Sequence, residues 1–303
     1  AMMKLGLHTA ILPDYSFEQV VDYAAETGFK GLEVCCWPNE KATRRYAGVS
    51  HIDVEDMTEE KAKKYVEYAE KKGITIATLA YFPNPLSDDE ETAKKSQEHL
   101  IKVIDAAALM NVNLVTTFIG KNKTKTVEEN LELMERVWIP ILKHAEEKHV
   151  RIAIENCPMY FTKDEWPGGN NLASTPQVWR RMFEMSPNIG LCFDPSHMIL
   201  LGMNVWKPVV DFADRIYHIH FKDLQIDQEK VEEYGRFSYP GLWHTPKLPG
   251  YGDIDFPKLI TKLHETGFNG YACLECEDRA FEGSAEDVRN GIEIAYRYLH
   301  TYL

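Results

Sequence analysis

The sequence is short of positive charge, of long apolar runs and of any flexible divider, and each shortage removes a class of protein. Lysine and arginine number 34 against 47 aspartates and glutamates, for a formal net charge of -13. Neutralising phosphates needs a basic face, so a general affinity for nucleic acid or an anionic membrane is not expected. No apolar run approaches the roughly 20 residues that span a bilayer, and the chain opens on the strand-like MKLGLHTA rather than a signal peptide. These features predict a cytoplasmic protein with no membrane partner. Ala1 and Met2, ahead of Met3, read as a cloning remnant.

Cysteine is also scarce. Six in 303 residues, all within apolar stretches, are too few for a disulfide framework and read as free thiols. Cys273-Leu274-Glu275-Cys276 has CxxC spacing, but no second CxxC accompanies it, so no zinc or redox centre is expected there. No G-x-G-x-x-G follows the first strand and no P-loop is present, which removes the usual dinucleotide and nucleotide cradles. With no linker rich in Gly, Ser or Pro, residues 1–303 read as one domain.

What is present is an alternation. A composition of 44% hydrophobic and 27% charged residues suits a soluble chain with a substantial core, and short apolar runs alternate with amphipathic helical stretches, the pattern of parallel β/α units. Eight strands are predicted near 4–9, 31–36, 74–81, 113–119, 150–156, 189–194, 215–221 and 270–276. Helix starts fall at Ser16, Thr58 and Thr126, near Thr175-Pro176, after Asp253 and at Ser284. Gly28, Gly73 and Gly267 mark stops. Pro140 predicts a kink or break in the fourth helix. Eight parallel units are best satisfied by closing the sheet into a (β/α)8 TIM barrel, with an open doubly wound sheet as the alternative. Three long connections, 36–58, 157–174 and 222–253, follow strands and would crowd the C-terminal mouth, where barrel sites are built.

Strand ends that lie far apart in sequence converge at that mouth. Glu155, Asp194, His220 and Glu275 end strands five to eight, and three carboxylates with one imidazole make a hard site suited to Mn2+, Mg2+ or Co2+, with positions left for substrate. Asp194-Pro195-Ser196-His197 brings an acid and an imidazole toward one cavity. His218 shares a strand face with His220 and reads as a core histidine satisfied by backbone groups. His8, Glu33, Trp37, Tyr81, Phe82, Trp166 and Asn171 are further mouth candidates. The 222–253 connection carries Tyr234, Phe237, Tyr239, Trp243 and His244, which favours a roomy, apolar pocket or else a rim or dimer contact. Arg44-Arg45 is the one candidate for a phosphate or carboxylate contact.

The stretches AIENCP, FDPSH, HIHFKD, KLPGYGDIDF and LECED, spread over nearly the whole chain, give it a resemblance to the xylose isomerase-like barrel family. That family includes ketose 3-epimerases, inosose dehydratases, sugar isomerases and, more distantly, endonuclease IV. The resemblance implies that Glu155, Asp194, His220 and Glu275 hold one divalent ion, Mn2+ first, with Mg2+, Co2+ or Zn2+ as alternatives. It also implies that Glu155 and Glu275 exchange protons with the carbon beside a carbonyl, and that His197 and Lys222 contact substrate oxygens.

The sequence departs from the ketose 3-epimerases by lacking their arginine shortly after Lys222. It departs from the endonuclease branch by offering LAYFPNP and TTFIGKN where extra histidine ligands are needed. The expected function is a divalent-metal-dependent isomerase or epimerase of a sugar or polyol ketone, abstracting a proton beside a metal-polarised carbonyl through an enediolate. A lyase or dehydratase would use the same enediolate for β-elimination, with His244 as acid to the leaving group. A non-catalytic sugar-binding barrel is the alternative of another class. A small sugar or polyol is the expected partner, and a homo-oligomer is left open.

Overall fold

A computed structural model describes residues 2–40, 42, 46–159 and 169–303. The barrel strands are β1 (Lys4–His8), β2 (Gly31–Cys35), β3 (Thr75–Ala80), β4 (Leu114–Thr117), β5 (Arg151–Glu155), β6 (Ile189–Phe193) and β7 (Ile216–Phe221). After an excursion formed by β8 (Asp223–Ile226) and β9 (His244–Lys247), β10 (Tyr271–Leu274) completes the ring. The closed order is β1-β10-β7-β6-β5-β4-β3-β2 with parallel neighbours, so the barrel holds and the open sheet does not. Buried on both faces, such strands read as continuous apolar runs. Every residue of β2, β4 and β6 is buried.

The outer layer contains α1 (Phe17–Thr27), α2 (Glu59–Lys71), α3 (Glu90–Leu109), α4 (Val127–Glu147), α5 (Pro176–Phe183), α9 (Phe256–Glu265) and α10 (Ala285–His300); the short α6 (Pro195–Leu200) and α7 (Trp206–Asp211) follow β6, and α8 (Gln228–Tyr234) belongs to the excursion between β8 and β9. Their starts have local causes. Gln19 N donates to Ser16 Oγ at 3.1 Å while Ser16 N donates to Gln19 Oε1 at 2.8 Å, and Thr126 and Glu129 repeat that reciprocal box on α4. Helix α1 stops at Gly28, whose φ of 114° is left-handed; a Cβ there would lie 2.4 Å from the Tyr296 hydroxyl.

Of the kink or break expected at Pro140, the break does not occur, since α4 runs unbroken from Val127 to Glu147. Pro140 and Arg136, whose carbonyl loses its donor, are both exposed. Trp138, Ile141 and Leu142 anchor the other face in the core.

Parallel register sets side chains of neighbouring strands side by side: Glu155 pairs with Cys192, Cys273 with His220, and His8 with Glu33. The strands' C-terminal ends therefore form one rim. Over it lies the 222–253 connection, which is not a plain loop: β8 and β9 pair antiparallel from Asp223 opposite Lys247 to Ile226 opposite His244. Asp223 pins its return. The carboxylate accepts the backbone N–H groups of Leu224, Gly250, Gly252 and Ile254 at 2.8 to 3.2 Å. A Cβ on Gly252 would meet Asp223 Oδ1 at 2.3 Å, so only glycine lets the chain approach this closely.

Candidate active site at the barrel mouth

Four side chains predicted from strand ends meet at the rim. Glu155 is the last residue of β5, Asp194 follows β6, His220 lies near the end of β7, and Glu275 follows β10. Their ligand atoms all lie within 4.8 Å of one another. His220 Nδ1 is 2.8 Å from Glu155 Oε1 and 2.9 Å from Glu275 Oε2. Asp194 Oδ1 is committed, accepting from Ser196 N at 2.9 Å and Ser196 Oγ at 2.7 Å, which leaves Oδ2 to face the cluster.

The donor set fits a divalent cation on its own chemistry. Asp194 Oδ2 and Glu275 Oε2 are buried and make no well-aligned hydrogen bond among the described residues, although cationic or imidazole nitrogens lie 2.9 to 3.2 Å from them. Buried oxygens are normally satisfied, and leaving one unmade costs about 1–3 kcal/mol. Three carboxylates sharing one buried site repel each other unless cations intervene. Among the described residues two other groupings have ligand-like proximity, Glu33-Cys192-His218-His220 and Glu155-Cys157-His197. Burial raises the Cys192 and Cys157 thiols, which keeps them protonated and poor ligands.

Cationic side chains balance part of the charge. Lys222 Nζ lies 3.2 Å from Asp194 Oδ2, 3.5 Å from Glu277 Oε2 and 3.8 Å from Glu275 Oε1; burial opposes its charge, but these carboxylates hold its pKa well above the ordinary lysine value. His197 Nε2 is 3.2 Å from Asp194 Oδ2 and 3.8 Å from Glu155 Oε1. Burial disfavours its protonation, yet Asp194 raises its pKa well above 6.5. The reciprocal effect falls on the acids. Burial alone would raise Glu155, but hydrogen bonds from His197 and His220 bring it down to about 2, and Asp194 is likewise depressed.

A cavity of about 470 Å³ opens above this floor. Its lining includes His8, Trp37, Tyr81, Phe82, Lys222 and His244 from the predicted set, together with Tyr239 from the excursion. Glu277, Met159, Phe118 and Arg279 line it too and were not anticipated. Glu277 was legible in principle, standing two residues beyond Glu275 in LECED. His8 stacks on Phe82 with ring centroids 5.9 Å apart, and Trp37 meets Tyr81 edge-on at 5.1 Å, so the wall is aromatic. His244 Nδ1 is fixed by the Pro240 carbonyl at 2.6 Å.

Other candidates take different places. Asn171 is a clasp: its Oδ1 accepts from Ile119 N and Gly120 N, and its Nδ2 donates to the Glu155 and Cys157 carbonyls, which commits both polar ends to backbone. His218 is not satisfied by backbone, since its Nε2 faces Glu33 Oε1 at 3.0 Å. Glu33 is not at the mouth after β2 but inside that strand, fully buried. Trp243 is buried within the excursion, while Phe237 is 95% exposed and Tyr234 51%, and neither of the latter lines the cavity. Arg44, Arg45 and Trp166 lie outside the described residues.

The family of xylose isomerase-like TIM barrels matches residues 21–298, and the chain belongs to that family. Among its relatives is an inosose dehydratase of Clostridium perfringens, 24% identical over 86% of this chain and 82% of the relative. Solved structures of like fold include D-psicose 3-epimerase with D-tagatose from Clostridium cellulolyticum H10, at TM-score 0.71 and 16% identity over 99% of each chain. Another is the IolI protein with a bound zinc atom, at TM-score 0.70 and 17% identity over 99% of each chain. A dehydratase thus stands among the sequence relatives and an epimerase among the structures of like fold. Among the described residues no helix is long and apolar enough to cross a membrane.

Proposed function

We propose that the protein is a divalent-metal-dependent isomerase or epimerase acting on a sugar or polyol ketone. The observation that carries this reading is the convergence of Glu155, Asp194, His220 and Glu275, whose donor atoms lie within 4.8 Å of one another. These four residues would hold the ion, Mn2+ first; the zinc in the IolI structure supports a divalent ion in general. When bound, the ion would supply Lewis-acid polarisation of the substrate carbonyl.

The chain's own residues supply the proton chemistry. Glu155, held as a carboxylate, takes the proton from the carbon beside the carbonyl, and Glu275 returns one. Lys222, kept as an ammonium, and His197 donate to substrate oxygens and stabilise the charge that develops as the C–H bond breaks. The walls built by Trp37, Tyr81 and Phe82 exclude water and offer apolar faces to the sugar ring.

The test uses the Mn2+-loaded protein with ketohexoses, inososes and 3-oxo-glycosides in D2O, followed by NMR and mass spectrometry. The expected product carries deuterium beside the carbonyl and is otherwise unchanged in mass. Loss of water or an aglycone would reassign the reaction to elimination, and absence of both exchange and turnover across the panel would overturn the reading.

A further inference from the structure

Below the four-donor cluster, inside the barrel, lies a charged group that the chemistry above does not use. Glu33 is fully buried on β2. Its Oε1 is 2.7 Å from His220 Nε2 and 3.0 Å from His218 Nε2. Its Oε2 accepts the Thr116 hydroxyl at 2.7 Å and lies 3.7 Å from His8 Nε2. Three imidazoles from β1 and β7 and a hydroxyl from β4 thus address one carboxylate. His8 Nδ1 accepts from Ala10 N at 3.3 Å, so the His8 proton is on Nε2, facing Glu33.

His220 has only two ring nitrogens to assign. Nδ1 faces Glu155 and Glu275; when it coordinates an ion there it must present its lone pair, and the one ring proton that remains is then on Nε2. A buried N–H needs an acceptor. Cys192 Sγ, at 3.4 Å, is a weak one; Glu33 is close and charged.

On the metal reading above, we propose that Glu33 is the positioning residue of the site: by accepting the Nε2 protons of His218 and His220 it fixes the orientation and tautomer in which His220 Nδ1 faces Glu155 and Glu275. Metal-binding histidines usually have such an outer partner, whose loss typically weakens metal binding about 10–100-fold.

The experiment compares wild type with Glu33→Gln, which keeps the shape and removes the charge. Zn2+ serves as a diamagnetic probe, with affinity read by competition against a chelating dye and the His220 Nε2–H read by ¹H–¹⁵N NMR. The expected result is Zn2+ binding weakened about 10–100-fold and loss of the slowly exchanging Nε2–H resonance. Thr116→Val, which deletes one donor to Glu33, gives a smaller loss in the same direction. Should Glu33→Gln fail to fold by circular dichroism, Thr116→Val decides. Affinity within about twofold of wild type with the resonance retained overturns the proposal. A wild type that binds no Zn2+ sinks the metal reading instead, while the NMR comparison still tests Glu33 in the metal-free protein.

Discussion

His220 Nδ1 lies 2.8 Å from Glu155 Oε1 although 65 residues separate the two in the chain. Barrel closure makes the contact: β5 and β7 flank β6, and both end at the same rim. In the proposed mechanism Glu155 is therefore ligand and base at once. Glu155→Gln and Glu275→Gln should each lower kcat by at least about 10²-fold. Steady-state assay with metal content measured on the same samples separates lost chemistry from lost ion. Near-normal kcat in either variant contradicts the assignment.

Lys222 is the buried cation facing Asp194, Glu275 and Glu277. Removing one partner of a buried ion pair strands the other charge and typically costs about 3–5 kcal/mol. Lys222→Met should destabilise the metal-free protein by that order in urea unfolding, and saturating Mn2+ should recover part of it. Equal stability of variant and wild type without metal would contradict the charge balance described.

Asn171 holds the 119–120 and 155–157 backbone segments together through both ends of its amide. Asn171→Ala leaves buried N–H and carbonyl groups unmade, for a loss of about 2–4 kcal/mol. The measurement is chemical denaturation alongside KM. Unchanged stability with a raised KM would return Asn171 to the substrate.

Acid should weaken the fold through two histidines outside the four-donor cluster. His51 is fixed to the Leu12 carbonyl at 2.8 Å and His99 to the Cys36 carbonyl at 2.7 Å, and burial lowers both pKa values below the usual 6.5 despite those bonds. Depressed folded-state values mean that the unfolded chain takes up protons first. Their stabilising contribution is complete above about 6.5 and is lost as pH falls toward the folded-state values. Urea unfolding from pH 8 to pH 5 should show this decline. His99→Gln should reduce its slope by up to about 1.4 kcal/mol per pH unit, and an unchanged slope contradicts the account.

Sequence reading reached the barrel and the four converging donors because both follow from simple periodicities: apolar runs of strand length, and polar side chains where those runs stop. It reached less where tertiary context decides. The β8–β9 pair was hidden by its brevity, since four residues such as His244–Lys247, with Pro246 among them, carry no alternation to read. Asn171 looked like a mouth residue because nothing in sequence shows which backbone groups a loop amide will meet. Glu33 carried a usable signal, a lone acid in GLEVCC, but its histidine partners come from strands one and seven. Pro140, read as a kink or a break, does not break its helix, because Trp138 and Ile141 hold that helix against the core.

The most direct measurement is the stoichiometry of Mn2+ on the purified chain, by equilibrium dialysis with elemental analysis, for wild type, Asp194→Asn and His220→Ala. The account predicts one ion per chain for wild type and its loss in both variants, with circular dichroism unchanged. A wild type that binds none, or variants that retain the ion undiminished, would contradict it.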